Sequence, residues 1–261
     1  MHGTRPTAVN ELLLSRIEDA SLNASAPPQQ RWLDGWLVRL SPGKAKRTRC
    51  INAVAVGRRP LDDKLAQCAA LYREARLPMF MRITPFSQPA TLDTELGARG
   101  FAAIDDTRVM VKPALAAADP PASPPGLEEH ALAPAQFAQI VGALRGSPAP
   151  ECAAQAERLA ASPVPGHFRG LRRDGEWLAC GQYVREGDLA GLYDIVTATA
   201  HRSQGLASLL CERLLALAAK DGAQLGYLQV DADNDAARRI YQRLGFADAY
   251  AYHYRLAPTA S

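Results

Sequence analysis

Two stretches of this chain can be laid over one another, and that self-similarity limits the folds open to it. LDDKLAQCAALYREARLP (61–78) matches LASLLCERLLALAAKDGA (206–223), and MFMRITP (79–85) matches YLQVDAD (227–233). TLDTELGARGFA (91–102) then matches DAARRIYQRLGFA (235–247), and DTRVMVKP (106–113) matches AYHYRLAP (251–258). Each copy predicts an amphipathic helix, a short apolar strand, a helix ending at a Gly-Phe pair, and a closing strand. A repeat of this size means one supersecondary unit used twice. The 261 residues leave room for two domains of ordinary size. The proline- and alanine-rich segment 113–126 resists regular packing and divides the chain into a first copy at 1–112 and a second at 127–261. Upstream in the first copy, WLDGWLVRL and CINAVAVG are predicted strands joined through the basic turn SPGKAKRTR. In the second, a strand, a helical stretch from Pro134 to Ala161 and a hairpin turning at Asp174-Gly175 precede the repeat.

The chemistry concentrates in Ile195 to Ala207, IVTATAHRSQGLA, which reads as a strand end, a turn and a helix start. The strand is GDLAGLYDIVT, and the helix opens through Arg202, Ser203, Gln204, Gly205, Leu206 and Ala207. A helix's first turn leaves four backbone N–H groups unpaired, and its dipole favours negative charge there, by roughly 0.3–1 kcal/mol per interaction. A diphosphate suits such a site. Gly205 has no Cβ and Ala207 a small one, so an anion can approach the main chain, and Arg202 can add a charge-assisted contact. Downstream, AQLGYLQVDAD predicts another strand, and Asp233 or Asn234 caps a helix that starts near Asp235 and ends at Gly245. Asn234, Ala237 and Tyr241 lie three and four residues apart and share one face of that helix.

In this order and spacing, the RxxGxA turn and the NxxAxxxYxxxGF segment resemble the signatures of the GNAT N-acetyltransferase superfamily. The resemblance implies an α/β (α+β) fold with a central mixed, mostly antiparallel sheet flanked by helices, here in two tandem copies. It implies acetyl-CoA as cosubstrate, with no metal. Main-chain groups at Ile195, Val196 and Thr197 would bind the acetyl carbonyl and pantetheine amides where the strand splays from its neighbour. Residues 202–207 would cradle the diphosphate, and Asn234, Ala237 and Tyr241 would line the pantetheine arm. Tyr241 matches the position whose phenol protonates the departing thiolate. A primary amine would attack the thioester directly, with a main-chain N–H near Thr197 holding the developing negative charge. Some relatives carry a glutamate base on the preceding strand, where this chain has Gly191. Asp194 is expected to face the opposite side of the sheet from Gly191, which leaves Asp194, Asp231, Asp233 or a water held by Tyr193 as alternatives. A lysine-like amine of pKa ~10.4 is about 0.04 % neutral at pH 7, costing roughly 4.6 kcal/mol to deprotonate, whereas an α-amine near pKa 8 costs about 1.4 kcal/mol. Without an evident base, the balance tilts toward a less basic amine on a small molecule, amino acid or peptide.

The first copy departs from the pattern. Leu96 stands where the second copy has Tyr241, and GRRPLDDK replaces HRSQGLAS before the long helix. Pro60 removes an N–H, and Asp62 and Asp63 put negative charge where a diphosphate would sit, so this copy is expected to bind no CoA. The run Lys44-Ala45-Lys46-Arg47-Thr48-Arg49 reads as a solvated hairpin tip, with an acidic substrate, RNA or the adenosine phosphate as alternatives. A net charge of +3 and no interleaved aromatics argue against nucleic acid. The five cysteines are odd in number and lack CxxC spacing, so neither zinc nor a disulfide framework is expected. No apolar run reaches the roughly 20 residues of a membrane span, and no signal-peptide pattern opens the chain, which points to the cytoplasm. A tandem chain can satisfy internally the contacts that single-domain relatives make by dimerising, which favours a monomer. The competing class is a non-catalytic acyl-CoA sensor or interaction module.

Overall fold

A computed structural model of the protein describes residues 8–258. Its elements run in the order α1 (Ala8–Ala24), β1 (Gln30–Leu33), β2 (Trp36–Arg39), β3 (Ile51–Ala53), α2 (Leu61–Glu74), β4 (Phe80–Ile83), α3 (Leu92–Ala98) and β5 (Ala102–Lys112). There follow β6 (Glu128–Leu132), α4 (Pro134–Arg145), α5 (Ala149–Ala160), β7 (Gly166–Arg173), β8 (Glu176–Glu186), β9 (Leu189–Thr197), α6 (Leu206–Lys220), β10 (Leu225–Asp231), α7 (Asp235–Arg243) and β11 (Ala247–Leu256). Every matched segment of the repeat takes the same element type in both copies. Among the described residues, eleven strands form one sheet, in the order β1-β2-β3-β4-β11-β5-β10-β9-β8-β7-β6. Pairing is antiparallel throughout except for β3 with β4 and β10 with β9.

That order reveals an exchange the repeat could not. The closing strand of the first copy, β5, pairs with β10 of the second, and β11 pairs with β4 of the first. β5 and β11 also pair with each other along most of their length. Each half is therefore completed by the other's last strand, and its apolar side chains are buried on a sheet it does not build alone. The connector 113–126 runs back over α6. The Leu115 N–H donates to Gln224 O at 2.9 Å, and Arg213 donates to Pro121 O and Ser123 Oγ, both at 2.8 Å.

Three local expectations need correction. WLDGWLVRL is not one strand, because Asp34-Gly35 turns it into the hairpin β1–β2, with φ of +44° and +83° at the two turn residues. The stretch from Pro134 to Ala161 is two helices, since Gly146 terminates α4 at φ +64° and Pro148 opens α5. The basic run is not a solvated hairpin tip. Lys46–Thr48 form a 3-10 turn, Lys46 pairs with Asp105, and Arg47 Nη1 donates to Gln229 Oε1 on β10 at 2.6 Å. No helix of the described residues is long and apolar enough to cross a membrane.

Candidate active site

β9 and β10 are hydrogen-bonded in parallel from Leu189/Leu225 to Leu192/Leu228, and the ladder stops there. On its other edge β9 stays paired with β8 as far as Thr197. The main-chain edge of residues 193–197 that faces β10 is thus left open. Beyond it the chain makes a short 3-10 turn at Thr199–His201 and enters α6. Ser203 and Gly205 both take left-handed backbone, φ +62° and +79°, which turns the loop tightly onto the helix. The first bond of α6 runs from Leu209 N–H to Gly205 O, so the N–H groups of Leu206, Ala207 and Ser208 have no partner within the helix.

These elements enclose a cavity of ≈ 650 Å³. Ile195, Val196, Thr197, Arg202, Ser203, Gly205, Leu206, Ala207, Asn234 and Ala237 all line it. A Cβ built on Gly205 would meet no protein atom within 4 Å and would project into open space. Asn234 caps α7, its Oδ1 accepting from Ala237 N–H at 3.1 Å. Residues 195–207 and 234–237, far apart in sequence, thus share one wall system. The lining also includes Arg239 and Arg243, which the sequence reading missed although they sit one helical turn apart on α7. Together with Arg202 they make the cavity cationic, which fits a polyanionic cosubstrate.

Two expected residues are not brought to this lining. Gln204 is exposed and is absent from the lining. Tyr241 packs against the core under α6, edge-on to Phe246 with ring centroids 6.2 Å apart. The lining of α7 takes in Asn234, Ala236, Ala237, Arg239, Ile240 and Arg243, so of the expected Asn234–Ala237–Tyr241 stripe only Tyr241 falls outside it. Tyr241's hydroxyl has no hydrogen-bond partner among the described residues, and burial, with a smaller contribution from Cys211, pushes its pKa up.

The candidate bases sort differently from expectation. β9 carries a bulge: its register with β8 passes from Tyr193↔Gln182 to Val196↔Cys180, so Asp194 and Ile195 together oppose Gly181. Asp194 takes φ +52°, which breaks the alternation. Instead of facing away from Gly191, Asp194 lies on the same side of the sheet as Tyr193, toward α4 and α5. There it accepts from Arg145 Nη1 (3.0 Å), Gln155 Nε2 (3.1 Å) and Gln182 Nε2 (3.0 Å). Burial alone would raise its pKa, but Arg145 and Arg158 outweigh that and hold the carboxyl below the usual range. A carboxylate so stabilised is a weak proton acceptor. The Tyr193 hydroxyl shares a 2.8 Å bond with that of Tyr227, and burial pushes its pKa up to about 12. Asp231 and Asp233 lie in a separate acidic depression with Asp105, Asp106 and Asn234.

In the first copy the corresponding places are filled from within. The ladder of β3 with β4 ends at Asn52↔Arg82. Beyond it, Ala53 O accepts from Gln88 N–H at 2.8 Å, and the N–H groups of Val54 and Ala55 donate to Gly35 O. Before α2, at the place that matches the start of α6 in the second copy, the Asp34 carboxylate accepts from the N–H groups of Arg58 and Arg59 at 2.9–3.0 Å, with Lys64 Nζ 3.5 Å away. The chain supplies its own anion at that helix start. Those backbone bonds lower the Asp34 pKa from the ordinary 3.8. A folded-state pKa below the unfolded value means the contribution is present above pH 3.8 and lost as pH falls through the folded pKa. Asp34→Ala is therefore expected to lower Tm at pH 7, with the gap to wild type narrowing at pH 3 and below. Parallel thermal melts check this, and a gap that does not depend on pH would contradict it.

Comparison with known proteins agrees with this architecture. Residues 135–246 match the acetyltransferase (GNAT) family model. A segment of 66 residues is 36% identical to the uncharacterized N-acetyltransferase YobR of Bacillus subtilis, covering 25% of this chain and 27% of that protein. The chain thus matches about a quarter of the length of that curated relative. Among solved structures, a GCN5-related N-acetyltransferase from Kribbella flavida superposes with a TM-score of 0.66 at 18% identity, over 94% of this chain and 96% of its own. A tandem GNAT protein from the clavulanic acid biosynthesis pathway does so with a TM-score of 0.62, also at 18% identity, over 100% and 91%. The fold is the GNAT fold, and residues 135–246 carry the match to the GNAT acetyltransferase family.

Proposed function

We infer that the protein is an acetyl-CoA-dependent N-acetyltransferase that passes the acetyl group to a primary amine by direct attack, with 127–261 as the working copy, 1–112 as a degenerate one and 113–126 as connector. One observation carries this: the unzipped end of β9 and β10 opens onto a cationic cavity lined by ten of the twelve residues expected to bind the cofactor. Acetyl-CoA, when bound, supplies an activated acetyl thioester. The free N–H groups of the first turn of α6, with Arg202, Arg239 and Arg243, would hold the phosphates. The open main-chain edge at Ile195–Thr197 would hold the pantetheine amides and face the carbonyl oxygen, and a fixed donor there is worth about 3–4 kcal/mol to the reaction. Tyr241 would keep its proton at neutral pH and deliver it to the departing thiolate. That role rests on the resemblance: the hydroxyl is unbonded but set back from the cavity lining, and burial keeps it protonated while making it a weaker acid. A chain lacking a strong base acts best on an amine that is substantially neutral at working pH.

Calorimetric titration of acetyl-CoA, followed by a thiol-release assay against a pooled amine library, tests this reading. One saturable site and release with at least one amine are expected. No binding would favour an interaction module instead. Tyr241→Phe is expected to leave acetyl-CoA affinity intact and slow turnover about tenfold to a hundredfold, at the low end of general-acid effects because a thiol of pKa ~8.5 needs little help. Unchanged turnover would remove Tyr241 from the mechanism.

A further inference from the structure

A second, narrow crevice lies across β9 from the cofactor cavity. Asp194 lines it, while the next residue, Ile195, lines the cavity. Its ≈ 50 Å³ is enclosed on one side by the β2–β3 connection of the first copy, including Lys44, and on the other by α4 and α5, including Arg145, Glu151 and Arg158. Two of these side chains are under-paired. Among the described residues, Arg158, only 8% exposed, is held by two long contacts, a 3.4 Å hydrogen bond to Ala24 O and a 4.0 Å ion pair with Asp194. Glu151 buries Oε2 with no hydrogen-bond partner among the described residues. Buried charges of this kind are costly unless paired. These two share one crevice, and among the described residues no ion pair joins them. Arg145 is already committed to Asp194, and Lys44 is exposed at the rim. Arg47, against the Tyr193 ring at 5.7 Å, adds positive charge from the first copy beside the unzipped strands.

Resting on the transferase reading above, we propose that this crevice between the two copies binds the headgroup of a free amino acid. The acceptor's carboxylate lies on Arg158 and Lys44, and its amino group lies toward Glu151. A zwitterion supplies both missing partners at once, which neither a polyamine nor an amine without an acid group can do. The volume admits a headgroup of a few heavy atoms and leaves the remainder of the acceptor outside. The ammonium first releases one proton to solvent to become the nucleophile; the transfer then forms the N–C bond, breaks the C–S bond and moves a second amine proton to the thiolate, giving an N-acetyl amino acid and CoA. The first copy acquires a function in this arrangement, because Lys44 completes a site that α5 only half builds.

The test uses the full chain and thiol release with proteinogenic amino acids, supplied as free acids and as their carboxamides. The amides carry the less basic and intrinsically readier amine, so any preference for acids reports on the crevice. Wild type is expected to favour acids in kcat/KM by about tenfold or more, the equivalent of one charge-assisted hydrogen bond. Lys44→Glu and Arg158→Gln are expected to erase that preference through KM with acetyl-CoA affinity unchanged, and Arg158→Lys to keep part of it. Amides that react as well as acids, or a preference untouched in both Lys44→Glu and Arg158→Gln, would overturn the assignment and leave the crevice to ordered water. Acetyl-CoA titration of the same samples separates the two claims. If the cofactor does not bind, the transferase reading fails, and the crevice is read by thermal shift with glycine against glycinamide. Stabilisation by glycine alone would uphold the headgroup site, and equal shifts would overturn it.

Discussion

Gly205→Asp is expected to weaken acetyl-CoA binding about a hundredfold or more, while Gly205→Asn weakens it less than about tenfold. The two side chains are nearly isosteric, and Asn and Asp are among the non-glycine residues that best tolerate the left-handed backbone, φ +79°, held at this position. The Cβ of neither meets an atom of the described residues within 4 Å. What separates them is charge. A carboxylate at that Cβ would stand over the free N–H groups of α6 and within a few ångströms of a diphosphate seated there. Like charges about 4–5 Å apart repel by roughly 3–4 kcal/mol at an effective dielectric of 20, and partial exposure leaves about 2–3 kcal/mol of it. Both replacements strain the left-handed backbone alike, so an equal change in Tm with unequal loss of affinity excludes misfolding as the cause. Equal losses in both variants would make the effect one of shape, and no loss in either would move the phosphates away from α6.

The repeat made most of the fold legible, because it was carried by side-chain periodicity, and periodicity is a local property. Leu206, Leu210 and Leu214 mark the buried stripe of α6 as plainly in sequence as in the core. The exchange of β5 and β11 was not legible, because both are strands of equal apolar character and nothing local says which edge each will choose. The hairpin at Asp34-Gly35 was legible and missed, since the same dipeptide at Asp174-Gly175 was read correctly. The proposed cofactor side of the site followed from Gly205 and Asn234, whose backbone conformation and capping their own residue types announce. The acceptor side did not. Asp194 is turned to its face by a bulge that places two residues opposite Gly181, and one extra residue in a ladder leaves no mark in composition. Lys44, Arg158 and Glu151 meet there only because the two copies share a sheet, so their proximity is a property of the assembly rather than of any segment.

That shared sheet makes Glu18→Ala the most destabilising single change expected in the chain, at about 3–5 kcal/mol. Glu18 on α1 is 7% exposed and accepts from both Nη atoms of Arg82 on β4, the second at 3.1 Å, and from the Tyr250 hydroxyl on β11 at 2.7 Å. Arg82 is 1% exposed, and its guanidinium lies over the Tyr252 ring at 3.9 Å. Removing the carboxylate leaves a buried guanidinium with only an aromatic face to compensate it. For a chain of this size the loss corresponds to a fall in Tm of roughly 10 °C. Tyr250→Phe removes one hydrogen bond to a charged group and should cost about 1.5–3 kcal/mol. The double change Glu18→Leu with Arg82→Met replaces the pair with apolar volume and should recover much of the loss, because the desolvation of both charges disappears together. The pair also joins α1 and β4 of the first copy to β11, the strand that closes the second. Destabilisation at Glu18 should therefore shift a single unfolding transition of the whole chain. If Glu18→Ala instead split the melt, with only one of two transitions moving, the exchanged strands would not couple the halves, and each copy would have to be treated as folding on its own.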